Sequence, residues 1–532
     1  METIQVSERL ERGMQLFERG LFAEVEKELL PVSGNSHLFP EILQMMAIAI
    51  SHIDREAEAL CLLEAAAALA PNHAEIHYNL AVMNGELGQT EKAMLAYQAC
   101  LRAEPRHVDA LWNYSELLRT RMHFALALEQ LRELKTVLPK QREATYYHRL
   151  AVTLSELSQY DEAREAFELS IKLGHEDTAV TYWEYAHMLL SIGEWEQGWA
   201  AYDYRFAAGN KISVVCHDFP YPLWQNQDLS GKTLLIHGEQ GLGDEIMFGS
   251  IVPEISDRFE GVNIIWACQP PLTRLFAYAN PDVEVISHQV VHAPTTLGAK
   301  KVDYQIPVCS LGRWFRRSDE EFRSNVHRLN VEPGRVAWFK QRLKIRTMPQ
   351  AASRKKLMVG LMWGANPGKD VVWGRKRSLR KSIPIQQLLP LSQFCDDIHY
   401  VSLQNRDVAT EAALAPELDL FDFHNDLFDM ADTAALMENM DLIISVDTSI
   451  AHLAGVLGKP VWVLLMEQAD WRWLRHGSDS LWYSSARLFR QRTQGQWDEA
   501  IEDLCLELQS WVKDQDSVSE VNGSIDSIID FK

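Results

Sequence analysis

Leu234-Leu235-Ile236-His237-Gly238-Glu239-Gln240-Gly241-Leu242-Gly243-Asp244-Glu245-Ile246-Met247-Phe248 reads as strand, tight glycine turn and helix. Leu234 to Ile236 is the short apolar run of a buried parallel strand. Gly238, Gly241 and Gly243 permit the sharp turn and let a ligand approach the backbone. Asp244 then opens the next helix at the carboxyl end of the strand, where doubly wound α/β folds bind ligands. The turn is not a dinucleotide fingerprint, because Ile246 stands where the third glycine belongs. It is not a phosphate loop either, because Asp244 rather than lysine follows Gly243. What remains is a Gly-Asp pair placed to present a carboxylate.

Downstream of this turn, strands alternate with helices. Val262 to Ala267 reads as a second strand, and Val283 to Ile286 and Tyr304 to Ile306 as weaker ones. A basic helix over Trp338 to Arg346 leads into a linker, Met348 to Lys356. A second α/β set starts at Leu357 to Trp363, with further strands at His399 to Leu403, Leu442 to Val446 and Val461 to Leu465. Two such sets imply two doubly wound, Rossmann-like halves facing a cleft. A last helix runs from Trp497 to about Trp511, and the Ser/Asp-rich tail from Lys513 is expected to be disordered.

Upstream, residues 1 to about 205 are helical and repetitive. Pro71, Pro105 and Pro139 recur every 34 residues, and Ala59, Ala93 and Ala127 each precede one of them by 12. Ala163 stands in the same way before the next helix end, and Ala47, Ala81, Ser115 and Ala151 supply a second small position per unit. Small residues let two helices pack closely, and proline ends the second of them. The pattern resembles the tetratricopeptide repeat, a 34-residue helix pair, over five or six pairs. Stacked pairs make an α-solenoid whose groove suits an extended peptide or another protein. The alternative is that the pairs brace the chain or form a dimer surface. Trp195, Trp199, Tyr202, Tyr204 and Phe206 crowd the end of the solenoid and are expected to seal it against the next domain.

The expected domains are therefore a solenoid (1–205), an aromatic junction (206–231), a first α/β half (232–347), a second (348–512) and a tail (513–532). The 532 residues suit about three domains. A net charge of −22 argues against a general affinity for nucleic acid or anionic membrane. The start of the chain lacks an apolar signal core, and no apolar run is long enough to span a bilayer. Seven scattered cysteines form no C-x-x-C pair, so a reducing cytoplasm is the simplest setting.

Three polar stretches follow strands of the second half. Trp363-Gly364-Ala365-Asn366-Pro367 leads to the basic run Arg375 to Lys381, then Ser382-Ile383-Pro384. A cluster this basic in an acidic chain suits an anionic ligand such as a diphosphate, although a solvated loop has the same composition. Gln404, after Ser402-Leu403, is placed either to hydrogen-bond a base or ribose or simply to end its strand. Ser445-Val446-Asp447-Thr448-Ser449-Ile450-Ala451-His452 supplies N-cap chemistry, and the helix start there favours a phosphate. His452, one turn on, can face the same ligand or serve the core. Asp470-Trp471-Arg472-Trp473 lies near the cleft, with its tryptophans read as packing.

Glu239 to Asp244, Trp363 to Pro367, Lys381 to Pro384 and Asp447 to Gly455 together resemble the heptosyltransferase-like family, glycosyltransferase family 9. They are most similar to members fused to tetratricopeptide repeats, some of which glycosylate flagellins. The resemblance covers about Lys232 to Trp497. It implies a two-domain glycosyltransferase-B fold and an inverting, metal-independent transfer from a nucleotide sugar, with no cofactor beyond that substrate. It assigns Asp244 as general base. It assigns the donor side to Lys381, Asp447, Thr448, Ser449 and His452. From the motif stretches themselves, Gly241, Gly243, Asn366, Ser382 and Gln404 are further candidates for donor binding. Ile383 and Ser449 depart from the classical pattern, which sets an ADP-heptose donor in question. The expected partners are a nucleotide sugar and a protein acceptor recruited by the repeats, with flagellin as the candidate. The alternatives are a repeat scaffold with an inactive transferase-like domain, a transferase for a lipopolysaccharide-type acceptor, or a nicotinamide enzyme. The missing third glycine disfavours the last.

Overall fold

The computed structural model describes residues 2–35, 39–212, 214–291, 301–323, 327–347, 356–365, 381–404 and 409–529. They form two compact units, Met1–Thr181 and Tyr182–Lys532. The first is all helix. Its pairs are Glu2–Glu18 with Phe22–Leu29, Glu41–Ser51 with Glu56–Leu69, Ala74–Glu86 with Thr90–Ala103, Val108–Thr120 with Phe124–Lys135, and Glu143–Glu156 with Tyr160–Lys172. The repeating small residues do what their size allows. Ala47, Ala59, Ala81, Ala93, Ala127, Ala151 and Ala163 are fully buried where helices approach one another. Tyr97 stacks on Tyr114 of the next pair at 5.6 Å between ring centres. The turn inside each pair takes a left-handed residue. Gly88 fills it without strain, whereas Asp54, Met122 and Ser158 hold it at positive φ with a side chain.

The division falls at Thr181/Tyr182, inside the helix Thr178–Ser191, rather than near residue 205. The reason is packing. Ala186, Leu190, Trp195, Trp199 and Tyr202 are buried in the core of the second unit. The indole N–H of Trp199 donates to the Arg316 carbonyl at 2.6 Å, and that of Trp195 to Asp319 at 2.8 Å. The expected aromatic seal is therefore part of the α/β unit itself.

That unit holds two sheets, both wholly parallel. The first comprises β1 (Thr233–His237), β2 (Asn263–Cys268), β3 (Glu284–Ser287) and β4 (Tyr304–Pro307), in the order β3-β2-β1-β4. The second comprises β5 (Leu357–Met362), β6 (Ile398–Ser402), β7 (Phe421–Asp422), β8 (Leu442–Val446), β9 (Val461–Leu465) and β10 (Ala486–Arg490), in the order β10-β9-β8-β5-β6-β7. β8 and β9 are buried along their whole length, as their unbroken apolar runs require. The strand order reverses direction at β1 in the first sheet and between β5 and β8 in the second. These are the switch points where doubly wound sheets open a crevice. The unit thus holds the two Rossmann-like halves that the sequence implies.

Three expectations need correction. The helix Pro333–Thr347, assigned to the first half, packs on the second. Phe339 lies 6.1 Å from Phe423, Arg335 bonds Asp432 at 2.8 Å, and Leu329 N–H already donates to the Val456 carbonyl. The last helix runs Asp498–Ile529 instead of ending near Trp511 before a disordered tail. No proline follows Pro460 to stop it. Ala500, Ile501, Leu504, Leu508 and Val512 anchor its first turns in the core of the second half. Strands β7 and β10 were not anticipated. Among the described residues, no helix is long and apolar enough to cross a membrane.

Candidate active site

The turn after β1 starts the helix Leu242–Gly249, with Gly241 as N-cap and Asp244 in the first turn. Asp244 Oδ2 accepts the Gly241 N–H at 3.0 Å, closing the turn on itself. Gly243 allows the close approach its type suggested. A Cβ there would stand 3.0 Å from His452 Cδ2 and 3.5 Å from Ser449 Cα. This helix start therefore abuts the helix Ser449–Leu457 of the other half. Gly238 is required for a different reason: its Cβ would collide with the Glu245 carboxylate at 2.1 Å.

The second helix start is built as its sequence implies. Thr448 is the N-cap in extended conformation, its hydroxyl accepting from Ile450 N–H. Asp447 precedes it and is buried. Its Oδ1 accepts from the Trp473 indole at 2.9 Å, and its Oδ2 pairs with Lys381. Burial works to raise the Asp447 carboxyl, yet Lys381 holds it below the ordinary range. His452 Nδ1 meets the Tyr483 hydroxyl at 2.9 Å, and the ring stacks on Trp473 at 5.1 Å. Burial pushes His452 down to about 4, so it is neutral at physiological pH. Gly458, at φ 67°, ends this helix.

The two sides are joined by a residue whose role was not read from the sequence. Arg472 Nη2 donates to Asp244 Oδ1 of the first half, and Nη1 donates to Asp470 Oδ1 at 2.6 Å. Burial disfavours the Arg472 charge, but Asp244 and Asp470 together raise it well above its ordinary value. Glu245 was also missed. Its Oε2 accepts the Gln269 N–H at 3.0 Å, and burial pushes the carboxyl up to about 7. Beneath the turn, Glu239 is buried against Arg205 at 2.9 Å, and Arg205 also donates to Ser310 Oγ at 2.8 Å. The only sequence signals for Arg472 and Glu245 were their positions, after β9 and beside Asp244.

The structure thus brings together Gly241, Gly243, Asp244, Lys381, Asp447, Thr448, Ser449 and His452. Gln404 takes the strand-end role that its position also suggests. Its fully buried amide bonds both sides of Gly364, accepting from the N–H and donating to the carbonyl at 3.0 Å each. A strand-end side chain beside a turn finds those backbone groups first. Ser382 likewise accepts from Ala365 N–H at 2.9 Å, so both residues brace the turn after β5. Asn366 and the basic run Arg375 to Arg380 lie outside the described residues.

Comparison with known proteins agrees with this architecture in part. The tetratricopeptide repeat family matches residues 74–107 and 144–173. The chain therefore carries tetratricopeptide repeats in its N-terminal part, joined to an α/β unit of two parallel sheets. It is 26% identical to Protein FlbA of Caulobacter vibrioides over 93% of this chain and 89% of that one. Among solved structures, E. coli ADP-heptose LPS heptosyltransferase II is similar over 53% of this chain and 99% of that chain, at 12% identity and TM-score 0.39. A tetratricopeptide repeat protein from Parabacteroides merdae is similar over 38% of this chain and 79% of that chain, at 20% identity and TM-score 0.32.

Proposed function

We propose that the chain is an inverting, metal-independent glycosyltransferase that moves a sugar from a nucleotide sugar to a protein acceptor. The observation that carries this reading is the meeting of a carboxylate and two cations at facing helix starts. Asp244 stands on the first half, and Lys381, Arg472 and the Thr448 helix start stand on the second. Inverting transfer needs those two functions across one cleft: a base for the acceptor and charge stabilisation for the leaving phosphate. In the step proposed, the acceptor hydroxyl gives its proton to Asp244 as its oxygen bonds the anomeric carbon. The bond from that carbon to the phosphate oxygen breaks, and the nucleotide leaves with the electron pair. Lys381 and the positive end of the Ser449–Leu457 helix take up the phosphate charge. His452, neutral and stacked on Trp473, shapes the donor side.

The repeats supply the acceptor. A transferase for a free sugar needs no solenoid, whereas stacked helix pairs suit an extended protein segment. Flagellin is the acceptor named by the family resemblance, and modification in the cytoplasm before export fits it. The test is to incubate the purified chain with a panel of nucleotide sugars and flagellin. Transfer appears as nucleotide release together with a sugar-sized mass increase on the acceptor. A chain that binds no nucleotide and releases none is a scaffold, and the proposal falls.

A further inference from the structure

Arg472 is held from several sides. Asp470 Oδ1 accepts from both its Nη1 and its backbone N–H, at 2.6 and 3.3 Å. Its guanidinium lies 4.4 Å from the centre of the Trp471 ring. Trp471 is itself packed edge-on against Trp199 at 5.5 Å and Tyr202 at 6.0 Å. The side chain is 10% exposed. One edge of a fixed, charged fork is thus presented to Asp244 from the opposite half. Among the described residues, His452, Tyr202 and Tyr483 also interact electrostatically with it, with Lys381 beyond Asp447.

In this arrangement both Asp244 oxygens are engaged, Oδ1 by Arg472 and Oδ2 by the Gly241 N–H. A general base needs an oxygen within hydrogen-bond reach of the proton it removes. Each carboxylate oxygen can accept a second hydrogen bond, but an acceptor hydroxyl reaching Oδ1 has to compete there with the charged Arg472 fork. The cluster also holds three carboxylates, Asp244, Asp447 and Asp470, against the two cations Arg472 and Lys381. A phosphate arriving beside the Thr448 helix start competes with these carboxylates for the cations, and guanidinium forks suit phosphate oxygens.

We infer that Arg472 is a cross-cleft exchange residue: it pairs with Asp244 until the donor's phosphate takes its guanidinium, and that exchange frees Asp244 for the acceptor hydroxyl. The inference rests on the transferase reading of the same site. It makes donor binding the event that arms the base, so donor precedes acceptor.

The test is calorimetric binding of a panel of nucleoside mono- and diphosphates to the full chain. The proteins compared are the wild type, Asp244→Asn, Arg472→Gln, Arg472→Lys and the Asp244→Asn/Arg472→Gln double variant. Removing the competing carboxylate should tighten nucleotide binding about threefold or more, and removing the fork should weaken it about tenfold. The double variant should bind no tighter than Arg472→Gln, since Asp244 acts only through Arg472. Arg472→Lys, which keeps charge without the fork, should fall between wild type and Arg472→Gln. Opposite signs for the two single variants cannot come from a shared loss of fold. If Asp244→Asn melts early, Asp244→Ser serves in its place. A wild type that binds nucleotide while Asp244→Asn binds equally or more weakly overturns the inference and leaves the transferase reading standing. A wild type that binds no nucleotide overturns the transferase reading, and the inference with it.

Discussion

Asp244 and Glu245 are adjacent carboxyls with opposite surroundings. Asp244 pairs with Arg472 of the other half, and Glu245 turns under the glycine loop with no exposed surface. Asp244→Asn is expected to lower transfer by ~10²–10⁴-fold while the fold and nucleotide binding survive. A variant keeping more than about a tenth of the wild-type rate rules out the base role. Glu245 leads to a pH prediction. Its folded-state value is raised from the ordinary 4.5 to about 7 by burial. A raised value means the folded chain holds the proton more tightly than the unfolded one. The contribution to stability is therefore complete below pH 4.5 and is lost as pH climbs through about 7. Glu245→Gln should gain on the wild type across that window, by on the order of 1–3 kcal/mol at its upper end. Thermal melts of both proteins at pH 5 and pH 8 check this, and equal gaps at the two pH values would refute it. Lys381→Ala should weaken binding of a nucleotide phosphate by about tenfold and leave binding of the bare nucleoside nearly unchanged. Equal losses for both ligands, measured by calorimetry, would point to damage of the whole half.

At the scale of elements, the helix Ser449–Leu457 ties the site to the core. Gly455 lies on its buried side, and a Cβ there would stand 2.3 Å from Tyr483 Cγ. Tyr483 is the residue that orients His452 through its hydroxyl. Gly455→Ala should therefore displace the Tyr483 ring, cost about 1–3 kcal/mol by overpacking, and weaken nucleotide binding through His452. Denaturant titration and calorimetry read the two effects separately, and a variant as stable as wild type would show that the ring yields freely. The strands and this helix were legible beforehand because apolar runs and N-cap residues are local signals. β7, with two residues, and β10, short and without clean alternation or an unbroken apolar run, carry too little local pattern to be read.

For the whole molecule, the two compact units allow the acceptor hypothesis to be tested by division. A chain beginning at Thr178 keeps the helix Thr178–Ser191 and all of the second unit. It should fold, bind nucleotide with unchanged affinity, and lose most transfer to a protein acceptor, because tethering raises the acceptor's local concentration. Circular dichroism establishes folding, and a mass-shift assay reads transfer. A folded truncation that modifies its acceptor at full efficiency would show that the repeats do not recruit it. A start near Phe206, suggested by the repeat pattern alone, would remove Trp195, Trp199 and Tyr202 from the second core and confound the experiment.

What the sequence determined by itself was everything carried by short-range pattern. The 34-residue recurrence of small residues and prolines defined the helix pairs. Eight of the strands were readable, and the turns at Gly241 to Asp244 and Asp447 to Ser449 marked the two helix starts. Each of these is set by backbone geometry or helix and strand period within a few residues. The tertiary structure alone decided which unit owns the aromatic helices, which half owns Pro333–Thr347, and that Gln404 serves Gly364. It alone placed Arg472 against Asp244, 228 residues apart along the chain. Contacts of that separation depend on where the chain crosses between sheets and on which side chains share a buried space. No local periodicity records either of these.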